Sequence, residues 1–191
     1  MKVLQILPQL NIGGVERGTL DLSKALIHKG HQSFVISGGG VLVDELTQCG
    51  AKHYEIPVHI KSLRTLSLAK RLSETISSID PDIVHVRSRM PAWVNYRAFK
   101  MLQKKPLLVS TFHGLYSFPI YSKVMSFVDH SIAISKTVER YILENYKLDK
   151  SDITVIPRGC DPLEFNNEVI NPVDKANIIE EFPQIVGKKV L

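Results

Sequence analysis

Residues Lys2 to Leu26 read KVLQILPQLNIGGVERGTLDLSKAL. A short apolar run, VLQIL, gives way to a loop with two adjacent glycines, Gly13 and Gly14. After them Val15, Thr19, Leu22 and Leu26 recur at i, i+4, i+7 and i+11. The first pattern is that of a strand covered on both faces, the second that of an amphipathic helix. Lys24, His28 and Lys29 suit the negative end of the helix dipole, and Gly30 stands where a helix ends in a left-handed residue. Strand, glycine loop and helix together form the opening unit of a parallel α/β sheet.

The same alternation continues outward from this unit. Apolar, β-branched runs recur at Ser33 to Ser37, His53 to Pro57, Asp82 to Arg87, Leu107 to Phe112, His130 to Ile134 and Ile153 to Pro157. They do not alternate in polarity, as expected of buried parallel strands. Between them Leu63, Leu66, Ala69, Leu72, Ile76 and Ile79 predict a helix over 59–79 that stops before Pro81. Pro91 is placed as a first helical residue ahead of Val94, Ala98 and Met101, and Ser135 caps a helix carrying Val138, Tyr141 and Ile142. The expected fold class is α/β, a doubly wound, Rossmann-like parallel sheet with helices on both faces.

After Pro157 the rhythm changes. DPLEFNNEVINPVDKANIIEEFP is polar, rich in Asn and Pro, and offers one short helix opened by Asn171 and Pro172. The closing GKKVL has the look of another buried strand beginning. The expected organisation is a domain over 1–166, then a linker over 167–191 that leads into the start of a further domain.

Bulk properties remove several classes. The 191 residues are 44% apolar and 23% charged, an ordinary globular composition. No run approaches the ~20 apolar residues that cross a bilayer, and the N-terminus lacks a small-residue cleavage site. Cys49 and Cys160 form neither a disulfide framework nor a metal-ligand spacing. A cytoplasmic protein without metal is expected. The formal charge of +5 suits an anionic ligand, an anionic membrane surface or nucleic acid, but no zinc spacing or interleaved aromatic and basic strand motif supports nucleic acid.

Ligands of open α/β sheets bind beyond the carboxyl ends of the strands. The residues that follow the predicted strands are Asn11 to Gly14, Gly38 to Gly40, Val58 to Lys61, Arg87 to Arg89, His113 and Gly114, Ser135 and Lys136, and finally Arg158, Gly159 and Asp161. Gly13 and Gly14 let the main chain approach a ligand closely, and the helix behind them offers unpaired N–H groups to phosphate; the alternative is a tight turn and nothing more. Neither a Gly-x-Gly-x-x-Gly spacing nor a P-loop lysine is present, which disfavours a redox cofactor or ATP. His113 would hold an imidazole at the rim for a hydroxyl-rich ligand, or is a turn residue bonded to backbone. Arg87, Arg89 and Arg158 carry guanidinium forks that match phosphate or carboxylate, or are ordinary surface arginines. Asp161 is open between a ligand group and a turn carboxylate, and His85, inside DIVHV, reads as a core histidine.

Basic residues also gather on helical faces: Lys61, Arg64, Lys70 and Arg71 on one, Arg97, Lys100, Lys104 and Lys105 on the next, beside the aromatic segment LYSFPIYSKVMSFV. Such faces dock on anionic lipid or are simply solvated.

Taken in order, KVLQILPQLNIGGVERGTLDLSKAL, DIVHVRSRMPAW, PLLVSTFHGLY, SIAISKTVERYI and ITVIPRGCDPLEF resemble the N-terminal half of glycosyltransferase family 4 enzymes of GT-B fold, over about residues 1–166. The resemblance implies two Rossmann-like domains facing across a cleft, the N-terminal one chiefly holding the acceptor and the C-terminal one the nucleotide-sugar. It implies that Gly13 and Gly14 approach the donor diphosphate, that Glu16 is the acid of that loop, and that His113 meets the transferred sugar. Arg158 departs from the family, many members having Asn before that glycine. RSRMPAW is similar to members that build bacterial surface glycans, which implies a lipid-linked or lipopolysaccharide-type acceptor. Members run to roughly twice this length, in line with two domains of ~150 residues, so half of the expected active site would lie in a donor lobe beyond Leu191.

The function expected is therefore retaining transfer of a sugar from a nucleotide-sugar donor to an acceptor hydroxyl, with no cofactor besides that donor. Substrate binding is expected of Gly13, Gly14, Glu16, Arg87, Arg89, His113 and Arg158, at the inner face of the cytoplasmic membrane if the acceptor is a glycolipid. The alternative is a non-catalytic module that binds acceptor or membrane, or one half of a split enzyme. A nucleotide-sugar epimerase of similar fold is disfavoured, since its acidic and histidine positions are not identifiable.

Overall fold

The computed structural model describes residues 1–60, 63–117, 119–159 and 171–188. Lys61, Cys160, Asp161 and the closing Lys189, Val190 and Leu191 lie outside the described residues, as does the side chain of Arg64. The chain forms two compact units, Met1–Pro157 and Arg158–Leu191.

Seven strands build the first unit: β1 (Lys2–Ile6), β2 (Gln32–Ser37), β3 (Lys52–Glu55), β4 (Ile83–Val86), β5 (Leu107–Phe112), β6 (His130–Ala133) and β7 (Ile153–Val155). Their order is β3-β2-β1-β4-β5-β6-β7, with every neighbouring pair parallel. The predicted strands are all present, and the sheet is doubly wound: the chain steps outward from β1 to β3, returns to the centre at β4 and steps outward the other way. Gln5 of β1 lies opposite Val35 on one side and His85 on the other.

The helices of this unit are α1 (Gly14–His28), α2 (Val43–Gln48), α3 (Ala69–Ile79), α4 (Arg89–Phe99), α5 (Pro119–Ser122) and α6 (Lys136–Asn145). Period-two alternation of β1 sends Leu4 and Ile6 to one face and Gln5 to the other. Leu4, Ile6, Ile36, Val84 and Val86 join Leu72 and Ile76 of α3, Val94 and Ala98 of α4 and Ile142 of α6 in the larger core. Val35 joins Leu20 of α1 and Leu46 of α2 in a smaller one. Each such aliphatic side chain, fully removed from water, contributes ~1.5–3 kcal/mol before entropy is counted.

Four local readings change. The predicted 59–79 helix is a 3₁₀ segment over Leu63–Leu68 followed by α3. α4 begins at Arg89, so Pro91 is its third residue rather than its first; the opening turn of a helix has no use for those N–H groups, so proline fits there. Of the predicted α1 stripe Val15, Thr19, Leu22 and Leu26, Thr19 is buried and Val15 packs against the smaller core, but the buried face is completed by Leu20 and Ser23 instead of Leu22 and Leu26, because Gln5 points its amide at the helix and needs oxygen partners. The sequence gives no sign of α2, since six residues with one buried leucine carry no period to read.

Termini behave as their residues dictate. Gly30 follows α1 at φ +75°, and the Ser135 hydroxyl accepts the Val138 N–H at 3.2 Å. The second unit holds α7 (Pro172–Glu181), where the Asn171 side chain accepts the Val173 N–H at 2.9 Å. Arg158 opens that unit and is exposed.

Candidate active site

The sheet order reverses between β1 and β4, and the helices that follow these strands, α1 and α4, start beyond their carboxyl ends and pack on opposite faces of the sheet. This is where a doubly wound sheet opens a crevice. α1 starts at Gly14 with no side-chain cap; Gly13 precedes it in extended backbone, φ 178° and ψ 164°. A residue of any type could adopt that conformation. Glycine leaves space for the Glu16 carboxylate, which lies where a Cβ on Gly13 would project and would have to swing aside for any other residue. Glu16 is the third residue of α1, in the turn where negative charge favours the helix dipole and from which a carboxylate reaches back toward the cap.

The loop that carries these glycines is held by its neighbour. Gly38 N–H donates to Pro8 O at 2.9 Å, Leu10 N–H to Gly39 O at 2.8 Å, and Leu42 N–H to Leu10 O at 2.8 Å. Gly40, at φ +142°, lies against the backbone of Leu10 and Asn11. The sequence placed Gly38 to Gly40 among ligand-facing residues; the structure shows them zipping one strand-end loop to the next. His59, from the loop after β3, sits against Gly38 with its Nδ1 buried and no hydrogen-bond partner there. Only its place just past a strand end could have drawn attention to it.

Beneath α1 runs a buried polar row. Gln5, fully buried, donates from Nε2 to Thr19 O at 3.1 Å and to Ser23 Oγ at 3.0 Å, and its Oε1 accepts from Arg87 Nη1 at 2.9 Å. Arg87 is only 7% exposed, so this predicted rim cation is a buried charge. Its Nη2 comes 3.2 Å from where a Cβ on Gly18 would be, so a mid-helix glycine makes room for it. His85 is in the core, as its sequence position implies, with Nε2 at 2.7 Å from Thr111 Oγ1. Burial first, then the charges of Arg87 and His113, hold its pKa well below the ordinary 6.5, so it is neutral.

His113 follows β5 by one residue, on the same edge of the sheet as Gly13 and Gly14. Two strand spacings separate β5 from β1, about 10 Å. Its backbone N–H donates to Tyr116 Oη at 3.3 Å. Arg89, first residue of α4, lies with its guanidinium carbon 4.9 Å from the Tyr116 ring centroid and 5.4 Å from that of Tyr121. The structure therefore brings Gly13, Gly14, Glu16, Arg87, Arg89 and His113 to one edge of the first unit. Arg158 belongs to the second unit. Among the described residues no three His, Cys, Asp or Glu side chains gather as a metal site would need, and no helix is long and apolar enough to cross a membrane.

Residues 12–163 match Glycosyltransferase Family 4. A glycosyltransferase from Rickettsia africae ESF-5 is 36% identical, with a TM-score of 0.78 over 95% of this chain and 49% of its own. Alr3699/HepE of Anabaena, solved in complex with UDP and glucose, shares the fold at 16% identity and a TM-score of 0.73, over 95% of this chain and 50% of its own. A subunit of the human phosphatidylinositol N-acetylglucosaminyltransferase is 25% identical over 190 residues, 88% of this chain and 38% of its own. The chain thus spans half or less of the length of these relatives.

Proposed function

The chain belongs to glycosyltransferase family 4, and from that premise we propose that it forms the acceptor-side half of a retaining enzyme that moves a sugar from a nucleotide-sugar to an acceptor hydroxyl. One observation carries this reading: the uncapped start of α1 and His113 share the edge where the sheet order reverses. Backbone amides at Gly13 and Gly14 take the donor diphosphate, and Glu16 holds the first turn beside them. Arg87 adds positive charge from beneath, in low dielectric where a fixed charge acts strongly. Preorganised stabilisation of the leaving diphosphate is the main rate term, with orientation of the sugar by His113 second. Arg158, from the segment after β7, is the remaining arginine proposed to meet the donor, while the Arg89 guanidinium is engaged by the connection after β5.

We place the domain proper over 1–166 and, over 167–191, a linker and the start of a further domain. A UDP-sugar is the donor class we favour, since HepE is solved with UDP-glucose. A lipid-linked glycan is the acceptor class, of the kind used in bacterial surface glycan or lipopolysaccharide synthesis. The human relative is named for phosphatidylinositol, and a structural neighbour of 15% identity and TM-score 0.66 is the lipopolysaccharide outer core galactosyltransferase WaaB. The exposed Lys70, Arg97, Lys100 and Lys105 would face anionic headgroups on the cytoplasmic side.

The test is turnover by the full-length gene product on a panel of nucleotide-sugars and glycolipids. Release of nucleotide diphosphate is expected, falling by about 10²-fold in His113→Ala, the scale of a positioned catalytic side chain. Release unchanged by that substitution would overturn the assignment.

A further inference from the structure

The connection that His113 opens is gripped from α4, and the grip runs through one side chain. Arg89 donates from Nη1 to Ser117 O at 3.2 Å and to Ser122 Oγ at 3.4 Å, while its guanidinium lies against the rings of Tyr116 and Tyr121. Tyr116 is the residue whose hydroxyl accepts the His113 N–H, and its ring packs on Phe112 with centroids 5.5 Å apart. Contacts are therefore continuous from Arg89 through Tyr116 to the backbone of His113. We infer that Arg89 is a positioning residue: it fixes Tyr116, and through it the rim position of His113, instead of reaching a substrate phosphate itself. This rests on the reading of His113 as the sugar-facing group.

Guanidinium chemistry is what the place requires. A planar cation can lie against two aromatic rings and still aim N–H groups at a carbonyl and a hydroxyl, whereas a compact ammonium satisfies one or the other. The loop does not depend on Arg89 to stay folded. Trp93 Nε1 donates to Tyr121 O at 3.0 Å, the Tyr141 hydroxyl donates to Tyr116 O, and Val124 and Met125 are buried in the larger core. Removing Arg89 should free the Tyr116 ring and loosen His113 while the rest of the unit stays in place.

Amide hydrogen exchange by NMR on the whole chain reads this directly, with or without a known acceptor. Arg89→Met removes two cation–π contacts and two hydrogen bonds, and the part of that loss which passes through Tyr116 should speed exchange at His113 by about tenfold. Arg89→Lys should fall between, and Tyr116→Phe, which keeps the ring and removes the acceptor, should act at His113 alone. Exchange at Gln5, in the buried centre of the sheet, should be unchanged in all three, and the His113 imidazole signals should shift in Arg89→Met. Unchanged exchange at His113 in Arg89→Met would overturn the inference whatever Tyr116→Phe does, as would an increase in Arg89→Met that is as large at Gln5 as at His113. If instead His113→Ala leaves nucleotide release intact, the catalytic reading falls and the exchange result still stands.

Discussion

Gly40→Ala tests whether the path of the glycine loop is set by the loop beside it. Gly40 has φ +142°, outside the wells that L-residues use, and such conformations carry ~1–3 kcal/mol of strain for any other residue. An added Cβ would also overlap the carbonyl of Leu10 and come within 2.8 Å of Asn11 N. Those atoms are backbone, held on both sides by the Leu10 N–H to Gly39 O and Leu42 N–H to Leu10 O bonds, so they cannot rotate away as a side chain would. Moving them forfeits two hydrogen bonds at ~1 kcal/mol each. The sum is about 3–5 kcal/mol, a large share of the ~5–15 kcal/mol that holds a domain together. Urea unfolding followed by circular dichroism would show the midpoint falling by ~1–3 M. Gly114→Ala is the control: nothing lies within 4 Å of its Cβ position and its φ is not positive, so its effect should stay within ~0.5 kcal/mol, or be slightly favourable. A Gly40→Ala protein as stable as the parent would refute the argument, and so would equal losses at both glycines.

Two further predictions concern the buried row beneath α1. Gln5→Leu removes the acceptor of Arg87 Nη1 and the donor to Thr19 O and Ser23 Oγ, all in buried surroundings. It should cost about 2–4 kcal/mol in denaturant unfolding, the scale for breaking a buried network at a charged member; a neutral outcome would mean that the guanidinium finds water instead. The second is a pH dependence. His85 has its folded pKa depressed, so in acid the unfolded chain binds a proton that the folded chain excludes. Stability from this group is fully present above about pH 6.5 and declines as pH falls, by at most about 1.4 kcal/mol per pH unit for one proton. His53, whose pKa burial also lowers against the opposing Glu55 charge, adds in the same direction. Unfolding midpoints measured from pH 7.5 to 5 should therefore slope downward, and His85→Gln should remove part of that slope; an unaltered slope would assign it to His53 and other groups.

How much of this can be read from residues alone depends on what each residue competes against. The central strands are legible because parallel strands covered on both faces leave short, β-branched apolar runs bounded by turn residues. α6 is legible because Ser135 does what a serine before an apolar period does. α1 is legible as a helix, but only part of its inward face is: the apolar period includes Thr19 and then points to Leu22 and Leu26, whereas the central strand presents Gln5, whose amide selects Ser23 beside Thr19. Arg87 reads as a rim residue because it ends a strand. The signal that it is buried lies elsewhere, in Gly18, a glycine inside a helix with no turn to make. Gly38 to Gly40 carry the same ambiguity as Gly13 and Gly14, since glycines that admit a ligand and glycines that admit another backbone look alike until both loops are in place.

The departures from local preference cluster in one place, and that is an argument about the site. A glycine inside an exposed helix costs ~1 kcal/mol relative to alanine, and a buried glutamine at the centre of a sheet gives up the packing that a leucine would supply. Gly18 and Gln5 both make these concessions, and both face the same guanidinium. A sheet built only for stability would place aliphatic side chains at all three positions. Chains that depart from local rules at a few adjacent residues tend to do so where function needs it. Here what is kept is a permanent positive charge under the first turns of α1, one layer below the loop where the helix offers its unpaired amides. A charge in that position favours an anion above it without occupying the space that the anion needs. The buried row therefore adds to the argument for the diphosphate site proposed at Gly13 and Gly14, and on that proposal a Gln5→Leu protein that remains folded should bind a UDP-sugar more weakly even though residue 5 lies beneath the helix.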